Sequence, residues 1–544
     1  MTRTVTLPRI SGTGTAPACS HLNLGLWNLF FIGEALLVSL EYLSFDVVYN
    51  AALLSLVLLP LKNAGLRRVR TLMALPPALA LLYHESFLPP LSALSANAAS
   101  LSDFSLTFIL DFLQGAVNPL LVAGAVLLVV LYYILRDYLR FTPLTLGLIA
   151  CMTLPPLTQT LLPALQAAPA LSESALSATR GDPLAQSAPP TPENLERWYH
   201  TFTESEALRS TVFPETVKSP FDIILLNICS LSTDDLRVSA LDSHPVLTRF
   251  DVNFKAFNSA TSYSTPATLR LLKSACGQST HSALYDPPGA SCELFTRLQE
   301  LGFSGLTFFD HPGTFGNYLA SLNSLAGLTS PLESQSAYRP LYRSFDDEPI
   351  YDSQDVFKAY LDKRAAKDAP AATLTLMNLI ALHDGNRSLN GRALDFRPRA
   401  EKLLDDIGAF MDALERTGRP TVLILVPEHG AALRGDRIQL SRLRDIPSPA
   451  LTHVPARVSL INAGRTFKPL NVEENVSYFA LSALLSRIME HDFLSPGATL
   501  SLEELVSGLP LTEAVSENEG AIVLNYQGEP YLKLEGREWI RYPR

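Results

Sequence analysis

The chain has 544 residues, too many for one ordinary domain. Its 43 Lys+Arg against 53 Asp+Glu leave a net charge of −10, which excludes the basic face that a nucleic-acid binder needs. The 47% hydrophobic content is unevenly spread: the apolar excess lies before residue 165, and the remainder has the balance of a globular domain.

In chain order, a short tail (1–21) precedes five apolar runs, at 26–40, 47–61, 71–83, 119–135 and 142–162. A helix needs about 20 apolar residues to cross a bilayer, so the shorter runs set approximate boundaries only. No small-residue cleavage site follows the first run, which argues against a removable signal peptide. Arg3 and Arg9 precede the first run, Lys62, Arg67, Arg68 and Arg70 separate the second from the third, and Arg136 and Arg140 separate the fourth from the fifth. The segments 41–46 and 84–116 carry no Lys or Arg. The positive-inside rule then predicts about five transmembrane helices over 22–165, a cytoplasmic N-terminus, and everything after residue 165 outside. Four spans with an interfacial helix would place the large domain inside instead. Glu34 falls within the first run and is assigned no role.

Residues 166–194 are rich in Ala, Pro, Ser and Thr and read as a tether. From 195 to 544 the pattern becomes that of a second domain. Apolar runs at 221–228, 373–378 and 421–426 read as buried strands, and 401–416 places Leu403, Leu404, Ile407, Phe410 and Leu414 at helical spacing before Gly418 stops it. This alternation predicts an α/β domain with a parallel-type sheet covered by helices on both faces.

Three of the five cysteines lie in that domain. Cys276 and Cys292 flank a short loop and are expected to pair in an oxidising compartment, leaving Cys229 as the odd thiol. Cys229 ends one apolar strand; Glu428 and His429 follow another. Open α/β sheets place their chemistry at carboxyl strand ends, and Cys, Glu and His are all zinc donors. A buried, inert Cys229 is the plainer alternative. Between the two strands, FNSATSYSTPATLRLL places Ser264 before Pro266 and a helical run, an N-cap context. Ser264 is either a simple cap or a hydroxyl at an anion-binding helix terminus, where Zn²⁺ would make it a nucleophile.

With these motifs in place, LLNICSLS (225–232), FNSATSYS (257–264), SACGQSTH (274–281), LHDGN (382–386), VPEHGAALRGDR (426–437) and LRDIPSP (443–449), the chain closely resembles the cellulose phosphoethanolamine transferases of bacterial cellulose secretion systems. These belong to the alkaline phosphatase/sulfatase superfamily, and the resemblance runs over almost the whole chain. It implies a multi-pass inner-membrane enzyme with an alkaline-phosphatase-like periplasmic zinc domain and a mixed, mostly parallel sheet. The implied activity moves phosphoethanolamine from phosphatidylethanolamine to glucose C6 hydroxyls of nascent cellulose, beside the cellulose synthase complex. The implied Zn²⁺ ligands are Cys229, Ser264, Glu428 and His429. Ser264 is also the implied nucleophile, with Tyr263, His383 and Arg444 as further active-site residues. In the resulting reaction His383 exchanges protons with the leaving and entering oxygens, Arg444 holds phosphoryl oxygens and Tyr263 donates a hydrogen bond. The similar lipid A phosphoethanolamine transferases usually carry Glu, Thr and Asp where this chain has Cys229, Ser264 and Glu428. Lipid A or another periplasmic glycan as acceptor, and a non-catalytic scaffold in the secretion complex, remain the competing readings. His281 and His311 read as structural, and spacing leaves Asp436, Arg437 and Arg442 undecided as cleft residues.

Overall fold

The computed structural model describes residues 23–61, 63–87, 119–166, 186–286 and 289–543. The tail 1–21 and most of the tether fall outside them. The chain divides into a helical unit (1–88 with 117–176) and a larger α/β unit (89–116 with 177–544).

The helical unit contains Trp27–Ser39, Val47–Leu58, Ala64–Met73, Leu75–Glu85, Pro119–Leu135 and Phe141–Gln166. Four of the five apolar runs thus correspond to single helices. The run at 71–83 does not: it is divided at Ala74 between two helices. Pro76 and Pro77 explain the break, because a proline lacks an N–H and is tolerated only in a first turn. Arg67, Arg68 and Arg70 consequently lie on a helix rather than in a loop. Among the described residues no helix is both long and apolar enough to cross a membrane. Trp27, Phe31, Leu53, Val57, Ala78, Leu81 and Ile149 form the unit's core. Glu34 is buried, as are Asn50 and Glu85, which are joined by a 2.6 Å Asn50 Nδ2 to Glu85 Oε1 bond.

The α/β unit is built on a seven-stranded sheet. Its strands are β1 (Asp222–Ile228), β2 (Val252–Phe257), β3 (Ser304–Phe309), β4 (Thr373–Leu379), β5 (Thr421–Pro427), β6 (Arg457–Ile461) and β7 (Leu470–Val476), in spatial order β7-β2-β6-β5-β1-β4-β3. The β1–β4, β1–β5, β3–β4 and β2–β7 pairs are parallel, and β6 runs antiparallel to both β5 and β2. The expected mixed, mostly parallel sheet is therefore observed. β1, β4 and β5 are buried along their whole length, as central strands covered on both faces must be. Each face packs its own core: Leu269, Leu272, Phe295, Leu481 and Leu485 on one, Leu403, Ile407, Phe410, Phe357 and Tyr360 on the other. The helix expected at 401–416 spans Phe396–Thr417 and ends on Gly418, whose φ of 66° suits glycine.

A four-stranded antiparallel sheet (Val515–Asn518, Ala521–Tyr526, Glu529–Leu534, Ile540–Arg541) follows, covered by helix Pro192–Ala207 through Leu195, Trp198 and Phe202. A small sheet of Pro340–Arg343, Pro349–Tyr351 and Arg387–Ser388 completes the unit. Cys276 and Cys292 form the expected disulfide, and Cys229 is free and buried.

Candidate active site

β1 and β5 are adjacent and in register, Ile228 opposite Pro427, so the residues that follow them emerge side by side. Cys229 N donates to Leu379 O and Glu428 N to Ile228 O, which holds the first residue past each strand to the ladder. Ligand-bearing atoms of Cys229, Glu428 and His429 all lie within 4.8 Å of one another, and all three side chains are fully buried.

Ser264 joins them. It opens helix Ser264–Leu272. The cap position falls on Tyr263 rather than on Ser264, one residue earlier than the sequence indicates, and no side chain caps the helix. Ser264 Oγ instead lies 3.4 Å from Cys229 Sγ and 3.3 Å from His429 Nε2. A hydroxyl spared from capping and aimed at a thiol and an imidazole is not a structural cap.

His429 Nδ1 donates to the Gly430 carbonyl at 2.8 Å, which leaves Nε2 with its lone pair toward Ser264 and Cys229. Gly430 is required there: an added Cβ would meet Ser232 Oγ at 2.7 Å. Burial pushes the Cys229 thiol up to about 12, with the Glu428 charge adding to the effect. Burial, then the Arg444 guanidinium, pushes His429 down to about 3. Burial also raises the Glu428 carboxyl. These groups share a water-poor space, and the Arg444 guanidinium is a cation that faces them. Glu428 Oε2 is buried with no hydrogen-bond partner, 3.9 Å from His429 Nε2, whereas Oε1 accepts from Asn378 Nδ2 at 2.5 Å. A thiol, an imidazole nitrogen and an orphaned carboxylate oxygen are the donors that a divalent metal such as zinc takes. The residues fit such an ion.

The remaining expected residues are at the same place. Arg444 Nη1 is 3.3 Å from Ser230 Oγ, beside Cys229, and Nη2 is 3.4 Å from His383 Nε2. His383 Nδ1 donates to the Asp384 carbonyl at 2.5 Å, so its Nε2 carries the lone pair and accepts from Arg444 Nη2. Enclosure, then the Arg444 charge, holds His383 well below the ordinary imidazole range and therefore neutral at pH 7. Tyr263 OH donates to Asp445 Oδ1 at 2.7 Å, so its proton is already committed. His311 is structural: Nε2 bonds Asn378 Oδ1, Nδ1 accepts from Gly313 N, and the ring stacks on Phe309. Asp436 accepts from Ile438 N, Gln439 N and Tyr542 OH, and so braces a loop. Arg442 pairs with Asp384 at 3.6 Å.

Two sets of residues escape a reading by motif. Asn227 and Asn378 face each other in the β1–β4 register; both are fully buried, and Asn378 Nδ2 donates to both Asn227 Oδ1 and Glu428 Oε1. Thr268 and Tyr318 complete this shell around Glu428 Oε1. The second is Asn518. Its Oδ1 accepts from Thr261 Oγ1 (2.7 Å) and Ser262 N (3.2 Å), and its Nδ2 donates to Ser262 Oγ (2.6 Å), Arg444 O (3.0 Å) and Asp445 O (2.9 Å). One amide thus ties the loop ahead of Ser264 to the loop that carries Arg444. Ser262 Oγ donates to the same Arg444 carbonyl.

Comparison with known proteins agrees over both units. Residues 179–539 match the family model of the cellulose biosynthesis protein BcsG C-terminal domain, and 27–154 match that of its N-terminal domain. The chain is 36% identical over 538 residues to the cellulose biosynthesis protein BcsG of Salmonella typhimurium (strain LT2), covering 95% of this chain and 96% of the relative. It is 35% identical to that of Escherichia coli (strain K12) with the same coverage. Among solved structures, a protein in the alkaline phosphatase superfamily from Vibrio parahaemolyticus aligns with a TM-score of 0.44 and 14% identity, covering 61% of this chain and 81% of the other. The chain belongs to the cellulose biosynthesis protein BcsG family.

Proposed function

We propose that this member of the BcsG family is a zinc-dependent transferase that moves phosphoethanolamine from phosphatidylethanolamine to glucose C6 hydroxyls of nascent cellulose. Its helical unit would sit in the bacterial inner membrane beside the cellulose synthase complex, N-terminus in the cytoplasm and α/β unit in the periplasm. The basic residues between the apolar runs support that orientation, and the Cys276–Cys292 disulfide suits an oxidising compartment.

The observation that carries the reading is Ser264 Oγ, 3.3–3.4 Å from the imidazole and thiol of a buried donor set and at the start of a helix. Held by Cys229, Glu428, His429 and the Ser264 oxygen, zinc would lower the pKa of that oxygen and polarise a phosphoryl oxygen. In the first half-reaction Ser264 Oγ attacks the lipid phosphorus, the P–O bond to diacylglycerol breaks, and the serine proton leaves with the diacylglycerol hydroxyl. In the second, the glucosyl O6 attacks the phosphorus of the Ser264 ester, the P–Oγ bond breaks, and the O6 proton passes through His383 back to Ser264. A neutral His383 whose Nε2 carries no proton suits the base role. Arg444 reaches both Ser230 and His383, so its guanidinium spans the ground where phosphoryl oxygens would lie. Tyr263, its hydroxyl fixed by Asp445, would line that ground.

Full-length protein given phosphatidylethanolamine and no acceptor is expected to carry a phosphoethanolamine ester on Ser264, read by intact and peptide mass. The Ser264→Ala variant should carry none; persistent labelling of that variant would refute the role.

A further inference from the structure

The reaction needs a seat for the acceptor as well as a nucleophile, and no residue discussed so far supplies one. Beyond His383 a line of aromatic rings leads outward. Phe345 is buried and lies 4.8 Å from the His383 ring, centroid to centroid. Phe315 stands edge-on to Phe345 at 4.6 Å and 88°, yet is 39% exposed.

This exposure is built into the loop. Phe315 lies between Gly313 (φ 74°) and the pair Gly316 (φ 59°) and Asn317 (φ 56°), a run of left-handed backbone that turns the chain back on itself. Thr314 Oγ1 bonds both carboxylate oxygens of Glu348 at 2.6 Å, and Glu348 O in turn accepts from Ser344 N. The two phenylalanines are thus held by polar ties between their own loops. A single exposed apolar ring is ordinary on a protein surface; Phe315 is set apart by the ring contacts that connect it through Phe345 to His383.

We infer that Phe315 is the platform on which a glucosyl ring of the acceptor chain stacks while a neighbouring unit presents its C6 hydroxyl to His383 and Ser264. The ligand is a β-linked glucan, and the inference rests on the acceptor named under the proposed function. A β-glucosyl ring carries its C–H groups axially, so both its faces are apolar and its rim polar. An exposed aromatic face takes the first, and solvent takes the second. Ring contacts of 4.6 and 4.8 Å lead from Phe315 through Phe345 to His383, so both ends lie within the reach of one short oligosaccharide.

The test uses the full-length protein, phosphatidylethanolamine vesicles and cello-oligosaccharides of increasing length. In Phe315→Ala the acceptor KM for cellopentaose should rise about three- to tenfold, the range that an aromatic stacking contact supports. A methyl glucoside, too short to reach Phe315, should show no such rise, and Phe315→Trp should restore the parental KM. The rate of Ser264 adduct formation without acceptor reports the donor half alone. If Phe315→Ala slows that step and leaves the cellopentaose KM unchanged, the ring contacts lipid and the platform is refuted. An unchanged KM with unchanged adduct formation refutes it equally. Parent protein that forms the adduct but never modifies a glucan overturns the acceptor reading itself, a different result from either.

Discussion

Replacing Asn518 by alanine probes the part of the site that no motif shows. The amide makes five hydrogen bonds, to Thr261, Ser262, Arg444 and Asp445, and Thr261 and Ser262 are fully buried. Truncation leaves the Thr261 hydroxyl and the Ser262 N–H without their acceptor, in a place water enters only through the cavity created. An orphaned buried polar group costs about 1–3 kcal/mol, so the expected loss of stability is about 3–5 kcal/mol. The effect on activity is expected to be larger than on metal content. Asn518 touches none of Cys229, Glu428 or His429, but it fixes the loop ahead of Ser264 against the loop that carries Arg444. A misplacement of about 1 Å costs on the order of 100-fold in rate. Steady-state transfer kinetics on full-length protein should therefore show kcat falling with zinc stoichiometry retained. Asn518→Asp, which keeps the acceptor and turns the donor into an oxygen facing two carbonyls, should be no better than alanine. An alanine variant with parental kcat and an unchanged unfolding midpoint would refute the positioning argument.

Other changes have equally definite outcomes. Asp222 forms a two-bond pair with Arg364, both side chains buried, and accepts from Thr373 as well; Asp222→Ala should cost about 3–5 kcal/mol in denaturant unfolding, because it strands a buried guanidinium. Burial pushes Asp310 up to about 8, so the folded protein holds a proton there that the unfolded chain releases near pH 4. That contribution to stability is present below pH 4 and is lost as pH rises to 8. Asp310→Asn should therefore gain stability relative to the parent as pH rises from 5 to 8, and parallel melting curves at both pH values would contradict it. Opening the Cys276–Cys292 loop by Cys292→Ser should cost about 3 kcal/mol, checked by denaturant unfolding with and without reductant.

The sheet was legible because its central strands are continuous β-branched and leucine runs, which only a two-sided core explains. The convergence of Cys229, Glu428 and His429 was legible for the same reason: parallel neighbours in register deliver their carboxyl ends together. The helix break at Ala74 was signalled by Pro76 and Pro77 but masked by the surrounding hydropathy. Asn227 and Asn378 were also written in the sequence, as an asparagine near the end of each of two mostly apolar strands, but their meaning depends on the β1–β4 register, which the sequence does not state. Asn518 lies more than 250 residues from Ser262 in an unremarkable strand, and only tertiary packing brings the two together. The same holds for Tyr263, whose bond to Asp445 no local pattern indicates.

The most direct test of the central claim is zinc stoichiometry with X-ray absorption on full-length protein and its Cys229→Ala variant. The account expects about one zinc per chain, a single sulfur ligand at about 2.3 Å in the parent, and loss of both metal and transfer activity in the variant. A variant that keeps its zinc and its full activity would contradict it.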